Sequence, residues 1–185
     1  MRLTTPVILT LGRVAVIPLV LALMLFPGSD AHHAAAVLFV LASITDWLDG
    51  FLARRWGQTS AFGAFLDPVA DKLLVGVSLV MILHWHPSGW MAVLVGIIVG
   101  REITISALRE WLAELGERTR VSVSFVGKLK TVAQMTSISL MLWETQIYRV
   151  TLFDIGGGLL FVAAALTLWS MGAYLRAAWP VLSRG

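Results

Sequence analysis

The sequence predicts an all-α integral membrane protein: a bundle of six transmembrane helices with both termini in the cytoplasm. Three observations carry this. The chain of 185 residues is 58% hydrophobic and only 14% charged, with a mean hydropathy of +0.83; soluble domains carry roughly 25% charged residues. Its apolar residues fall into six runs, near 6–27, 31–55, 61–85, 89–115, 121–146 and 150–179, each close to the roughly 20 residues a spanning helix needs. Finally, thirteen of the fourteen Lys and Arg residues fall on one side of the alternation those runs impose, with Arg149 alone opposite. That asymmetry places the first side in the cytoplasm. The runs are too continuous for barrel strands, so helices must satisfy the backbone within lipid.

The elements follow in order. The first run is preceded by Met1 and Arg2, as a signal peptide would be, but it ends at Phe26-Pro27-Gly28 without a small-x-small cleavage site; it reads as a retained helix. Gly28-Ser29-Asp30 turns the chain into the second helix, and a short segment after Arg54 and Arg55 leads into the third. His86-Pro87-Ser88-Gly89 opens the fourth, which carries Gly96-x-x-x-Gly100, a spacing that lets helices pack closely within the bundle. A basic loop with Arg118 and Arg120 leads to the fifth, and residues Thr145 to Thr151 to the sixth, whose Gly156-Gly157-Gly158 reads as a flexible or tightly packed start. These runs use almost the whole length, so residues 1–185 read as a single membrane domain. No cysteine is present, which excludes disulfides and thiolate metal sites. The basic residues line a membrane face, which argues for anionic lipid and against nucleic acid. Trp85, Trp90, Trp143 and Tyr148 suit an interfacial belt. His32, His33, His84 and His86 lie at the opposite end from the acidic residues and read as solvated turn histidines or, alternatively, a metal site.

Four aspartates stand inside apolar runs, where a carboxylate is costly and needs a function. Asp46 and Asp49 are three apart, and Gly50 and Ala53 fall four and seven residues from Asp46 on the same helical face. Gly63, Asp67 and Asp71 follow at spacings of four on the next helix. The connecting turn is short, so the two helices are antiparallel neighbours, and both acidic pairs converge in a cleft open to the cytoplasm. Oxygen donors of this kind suit Mg²⁺ or Mn²⁺ shared with a substrate phosphate, or one carboxylate acts as base. The bland alternative is charge pairing with Arg54, Arg55 and Lys72.

Asp46-x-x-Asp49-Gly50-x-x-Ala53-Arg54, eight residues, then Gly63-x-x-x-Asp67-x-x-x-Asp71 resembles the signature of the CDP-alcohol phosphotransferases at every position. Pro6-Val7-Ile8-Leu9-Thr10-Leu11-Gly12-Arg13 is similar to the family's N-terminal motif, although Thr4 stands where many relatives carry asparagine. Gly100-Arg101-Glu102-Ile103, Ser106-Ala107-Leu108-Arg109-Glu110 and Gly127-Lys128-Leu129-Lys130-Thr131 resemble the bacterial branch that makes phosphatidylglycerophosphate. The resemblance covers essentially the full chain. It implies transfer of the phosphatidyl group of CDP-diacylglycerol to sn-glycerol 3-phosphate, with release of CMP, in a bacterial inner membrane. It further implies that Asp46, Asp49, Asp67 and Asp71 hold two divalent ions, Mg²⁺ or Mn²⁺. Asp67 would bridge them and Asp71 would act as base. Gly50, Ala53, Arg54, Gly63 and Thr10 would receive the nucleotide, and a homodimer is implied.

The second substrate's phosphate needs a cationic pocket. The candidates are Arg101, Arg109, Arg118, Arg120, Lys128 and Lys130, since guanidinium grips phosphate in bidentate fashion and ammonium acts as a point charge. Arg101 falls well inside the fourth helix, where a buried pair with Glu102 or an aspartate is the alternative. Arg109 with Glu110 reads equally as surface pairing, and Arg118 and Arg120 equally as topology charges. Lys128 and Lys130 face different directions on an ideal helix. Two rival functions remain: a family member using another alcohol, such as inositol phosphate or serine, and a divalent-cation transporter. A transporter needs polar residues continuing to the far side, whereas these acids are confined to one half. A membrane assembly protein leaves the aligned acids unexplained.

Overall fold

The computed structural model describes residues 5–56, 61–116, 125–147 and 150–183, with the side chains of 5–8, 47, 49–56, 61, 62, 64, 125, 126, 128, 147, 150 and 182 outside that description. Six helices are present: α1 (Thr5–Leu25), α2 (Ser29–Trp56), α3 (Ala61–Trp85), α4 (Gly89–Glu114), α5 (Phe125–Trp143) and α6 (Leu152–Leu182). Their bounds follow the apolar runs closely. α1 packs on α2 and α3, α2 on α5, α4 on α6, and α5 most extensively on α6.

Local chemistry sets the ends. Gly28, at φ +141°, makes the α1–α2 turn with a backbone conformation that L-residues rarely adopt. Ser88 caps α4 by accepting from the Met91 amide, and Gly116, at φ +76°, follows its C-terminus as glycine commonly does. α6 opens on a capping box, with the Thr151 hydroxyl accepting from the Asp154 amide at 3.1 Å and the Asp154 carboxylate accepting from the Thr151 amide at 3.3 Å. One element was not expected. Between α5 and α6, β1 (Gln146–Ile147) and β2 (Val150–Thr151) pair antiparallel, Gln146 opposite Thr151.

Packing divides the bundle into two halves. The fully buried apolar core, with Val20, Phe39, Leu79, Ile98, Ile138 and Leu160 at its centre, occupies the half nearest the 28, 86 and 144 turns. The other half is where Thr10, Arg13 and Lys130 are buried. Outward faces are apolar: Phe161, Trp179 and Trp169, the last 75% exposed, have no cover. Among the described residues, Gly89–Glu114 and Leu152–Val181 are long and apolar enough to cross a membrane, and Leu9–Leu25 is a shorter apolar helix. α2 and α3 are diluted by the acidic residues they carry, Asp46 on one and Asp67 and Asp71 on the other.

Three sequence readings change. The Gly96 and Gly100 positions have nothing within 4 Å of where a Cβ would stand, so this pair does not mediate close packing within the bundle. The histidines are engaged rather than simply solvated. His86 pairs with Glu144 at 2.9 Å and His32 with the same carboxylate at 3.6 Å, while His33 and His86 stack near Trp143 and Phe153. No group of three metal-ligating side chains gathers there among the described residues. Of the interfacial aromatics, Trp90 and Trp143 are exposed, Trp85 donates its indole N–H to the Met24 carbonyl at 2.6 Å, and Tyr148 lies outside the described residues.

Gly156 is the tightly packed glycine. An added Cβ would stand 2.5 Å from Met141 Cγ and 2.9 Å from the Ser137 carbonyl oxygen, whose own hydroxyl donates to the Gly156 carbonyl at 2.6 Å. The Met141 tip can move, but the Ser137 backbone cannot do so without shifting α5. Gly156→Ala is therefore expected to destabilise the bundle by about 1–3 kcal/mol, read as a lower thermal midpoint in detergent. Gly158→Ala, with open space at its Cβ, is expected to be neutral or slightly stabilising through helix propensity.

Candidate active site

The polar half draws on all six helices. Thr10 and Arg13 are three apart on α1 and share a face. Arg13 is 2% exposed and its Nη1 lies 2.5 Å from Asp46 Oδ1 on α2. Thr10 donates its hydroxyl to Asp67 Oδ1 on α3. An arginine at this depth is tolerated because a carboxylate faces it. Asp46 is in electrostatic reach of Asp67, and Asp71 of Asp46, so the three described carboxylates belong to one site. Pro68, between Asp67 and Asp71, lies inside α3; lacking an N–H, it cannot bond the carbonyl four residues back and loosens the helix beside the carboxylates.

Beyond Asp71 the site opens into a cleft of about 260 Å³. Asp71 and Lys72 form one wall, Arg101 and Arg109 of α4 another, and Lys130 of α5 a third, with Ser170 and Tyr174 of α6 opposite. Lys130 is 3% exposed and donates to Glu102 Oε1. Arg101 shares that oxygen at 3.3 Å through Nη1 and donates from Nη2 to Ser170 Oγ at 2.9 Å. Its Nε is buried with no partner. One carboxylate thus serves two cations, while Arg109 at the mouth makes no ion pair with Glu110 among the described residues. Lys72, Val75 and Glu102 also border a second, apolar groove of about 350 Å³ between α3 and α4, lined by Leu73, Gly76, Val80 and Ile98.

The sequence-predicted residues divide accordingly. Asp46, Asp67 and Asp71 come together, and Arg101, Arg109 and Lys130 come together with Asp71. Gly63 is buried on α3. The side chains of Asp49, Ala53, Arg54 and Lys128, and Gly50 with them, lie outside the described residues although α2 and α5 run through their positions. Arg118 and Arg120 lie outside altogether. Thr10 reaches Asp67. Both alternatives for Arg101 hold a part of the answer, since it pairs with Glu102 and lines the cleft. Sequence reasoning missed Arg13 as a site member. A cation three residues from a buried hydroxyl, inside an apolar run, was the available signal. It also passed over Gln134 and Ser170, single polar residues in apolar helices.

The donor set fits a hard divalent cation in kind, since carboxylate oxygens are what Mg²⁺ and Mn²⁺ take. Among the described residues no three such side chains gather closely enough to hold an ion. The side chain of Asp49, the fourth aspartate of the set, lies outside those residues, and Arg13 engages Asp46 while Thr10 engages Asp67.

The family model for CDP-alcohol phosphatidyltransferase matches residues 3–169. The chain belongs to that family. It is 49% identical over 178 residues to proteins of Shigella boydii and Escherichia coli, covering 96% of this chain and 96% of each relative. Both carry the name CDP-diacylglycerol–glycerol-3-phosphate 3-phosphatidyltransferase, as does a Shigella flexneri protein at the same identity and coverage. The matched span takes in α2, α3 and every residue of the cleft named above except Ser170 and Tyr174.

Proposed function

We propose that this enzyme transfers the phosphatidyl group of CDP-diacylglycerol to sn-glycerol 3-phosphate, giving phosphatidylglycerophosphate and CMP. The observation that carries this is the position of Asp71, which stands at once among the carboxylates and in the wall of the basic cleft. A group there faces both substrates. The whole chain acts as one membrane domain of six spans in the bacterial inner membrane, with both termini and the site on the cytoplasmic side. The positive-inside charge asymmetry and the apolar outward faces support that placement.

Asp46, Asp49, Asp67 and Asp71 are the residues that would hold two Mg²⁺ or Mn²⁺ ions. When bound, these ions would neutralise the diphosphate and the departing CMP. The protein's own groups do the rest. Gly50, Ala53, Gly63 and Thr10 line the nucleotide side and Arg54 faces its phosphates. Arg101, Arg109 and Lys130, joined by Arg118 and Lys128, take the acceptor phosphate, displacing their hold on Glu102. That grip points the acceptor's terminal hydroxyl at Asp71, which accepts its proton as the hydroxyl oxygen attacks the lipid-side phosphorus. A cleft of about 260 Å³ is smaller than the roughly 300–1,000 Å³ of drug-sized sites, which suits a three-carbon phosphate. The adjoining apolar groove gives a lipid chain a path from the site into the bilayer. Membrane lipids surround the protein, nucleic acid has no place in this reading, and a second copy of the chain would approach most closely at the open Gly96–Gly100 face of α4.

Chelation tests the acidic half of the proposal. Purified enzyme treated with a chelator is expected to stop releasing CMP, and added Mg²⁺ or Mn²⁺ to restore release. Full activity in rigorously metal-free buffer would remove the divalent ions from the account.

A further inference from the structure

Deep in the basic cleft a hydrogen-bond acceptor has no partner among the described residues. Gln134 is 4% exposed, lines the cleft, and its Oε1 is buried without a hydrogen bond. It stands four residues after Lys130 on α5, so amide and ammonium follow one another along the same face. A buried carbonyl left unpaired is costly, and native structures rarely leave one so without a reason.

No donor of the surrounding wall reaches it among the described residues, with Lys72, Arg109, Tyr174 and the unpartnered Arg101 Nε–H included. Ser106 donates to the Glu102 carbonyl at 2.7 Å, Thr131 to the Gly127 carbonyl at 3.1 Å, and Ser170 to the Thr167 carbonyl at 2.9 Å. Lys130 is engaged by Glu102 and Arg101 by Glu102 and Ser170. Val75 and Met135, which also line the cleft, have no donor. A molecule that enters the cleft with a hydroxyl can supply that hydrogen bond. A phosphate dianion has no proton to give. An alcohol does.

Given the proposed reaction, on which this rests, the acceptor carries two hydroxyls, and only one reacts. We infer that Gln134 binds the non-reacting secondary hydroxyl of the acceptor and is a specificity-determining residue, selecting a polyol phosphate over a simple alcohol phosphate. An amide turned the other way would instead offer N–H to the phosphate, so the test holds the phosphate constant.

The probe is 3-hydroxypropyl phosphate, which keeps the phosphate and the primary hydroxyl of sn-glycerol 3-phosphate and lacks only the secondary one. With CDP-diacylglycerol saturating, the wild type is expected to show a kcat/KM roughly ten- to hundred-fold lower for the analogue, the cost of leaving one buried acceptor unpaired. Gln134→Leu should lower kcat/KM for sn-glycerol 3-phosphate to the analogue's level and leave the analogue within a few-fold, bringing the ratio near one. Should the leucine variant fail to fold, Gln134→Met carries the same expectation. Equal use of both acceptors by the wild type would overturn the inference. So would undiminished discrimination in the variants, or an equal loss for both acceptors, which would put Gln134 on the phosphate. A wild type that does not turn over sn-glycerol 3-phosphate at all would instead overturn the proposed reaction.

Discussion

Asp71→Asn is expected to reduce CMP release by roughly 10²–10⁴-fold, the contribution of a positioned general base, while CDP-diacylglycerol binding persists. The amide keeps the shape of the carboxylate and cannot accept a proton at neutral pH. Asp71 lines the acceptor cleft, whereas Asp46 and Asp67 are engaged by Arg13 and Thr10, so the three carboxylates are not equivalent. Asp67→Asn should chiefly weaken divalent-ion binding, and raising Mn²⁺ should recover part of its activity. Turnover with both substrates varied, together with retention on a CDP-lipid matrix, separates the two. Near-normal turnover in Asp71→Asn would assign the base to another group.

The second large effect is expected at the basic wall. Lys130→Met and Arg101→Met should each raise KM for sn-glycerol 3-phosphate by about ten- to hundred-fold, since a charge-assisted contact contributes about 1.5–3 kcal/mol. KM for CDP-diacylglycerol should change little if, as proposed, that substrate binds on the aspartate side. Both residues are tied to Glu102, and a bound phosphate would compete with that carboxylate. Arg109→Met, at the mouth, should have a smaller effect. Thermal midpoints measured alongside would reveal damage to the fold, since truncating either cation leaves Glu102 less compensated. A rise in both KM values together would place these residues outside a dedicated acceptor pocket.

Helix positions were legible because each rests on a long apolar run, and most of these runs end near glycine, proline or serine. The two-residue strands beside α6 were not, because so short a ladder leaves no periodic signal. The aspartates were legible for a physical reason: spacings of three and four place them on single faces, and a carboxylate in an apolar run asks for a function. The Arg101–Glu102–Lys130 cluster was only half visible. Neighbours in sequence do not face each other on a helix, and α5 and α6 supply the partners that turn the pair into a pocket. Arg13 read as one of thirteen topology charges until α1 was seen against α2. Gln134 gave no spacing signal of its own; its meaning comes from a buried carbonyl that no donor of the cleft wall reaches among the described residues.

The measurement that bears most directly on the account is CMP release by the purified protein from CDP-diacylglycerol with Mg²⁺ or Mn²⁺, offered sn-glycerol 3-phosphate, glycerol, serine, inositol and inositol phosphate in turn. The account predicts turnover with sn-glycerol 3-phosphate well above every other acceptor, with phosphatidylglycerophosphate as the product. Preference for an unphosphorylated alcohol would contradict the acceptor assignment and the role given to Arg101 and Lys130, while leaving the chain in its family.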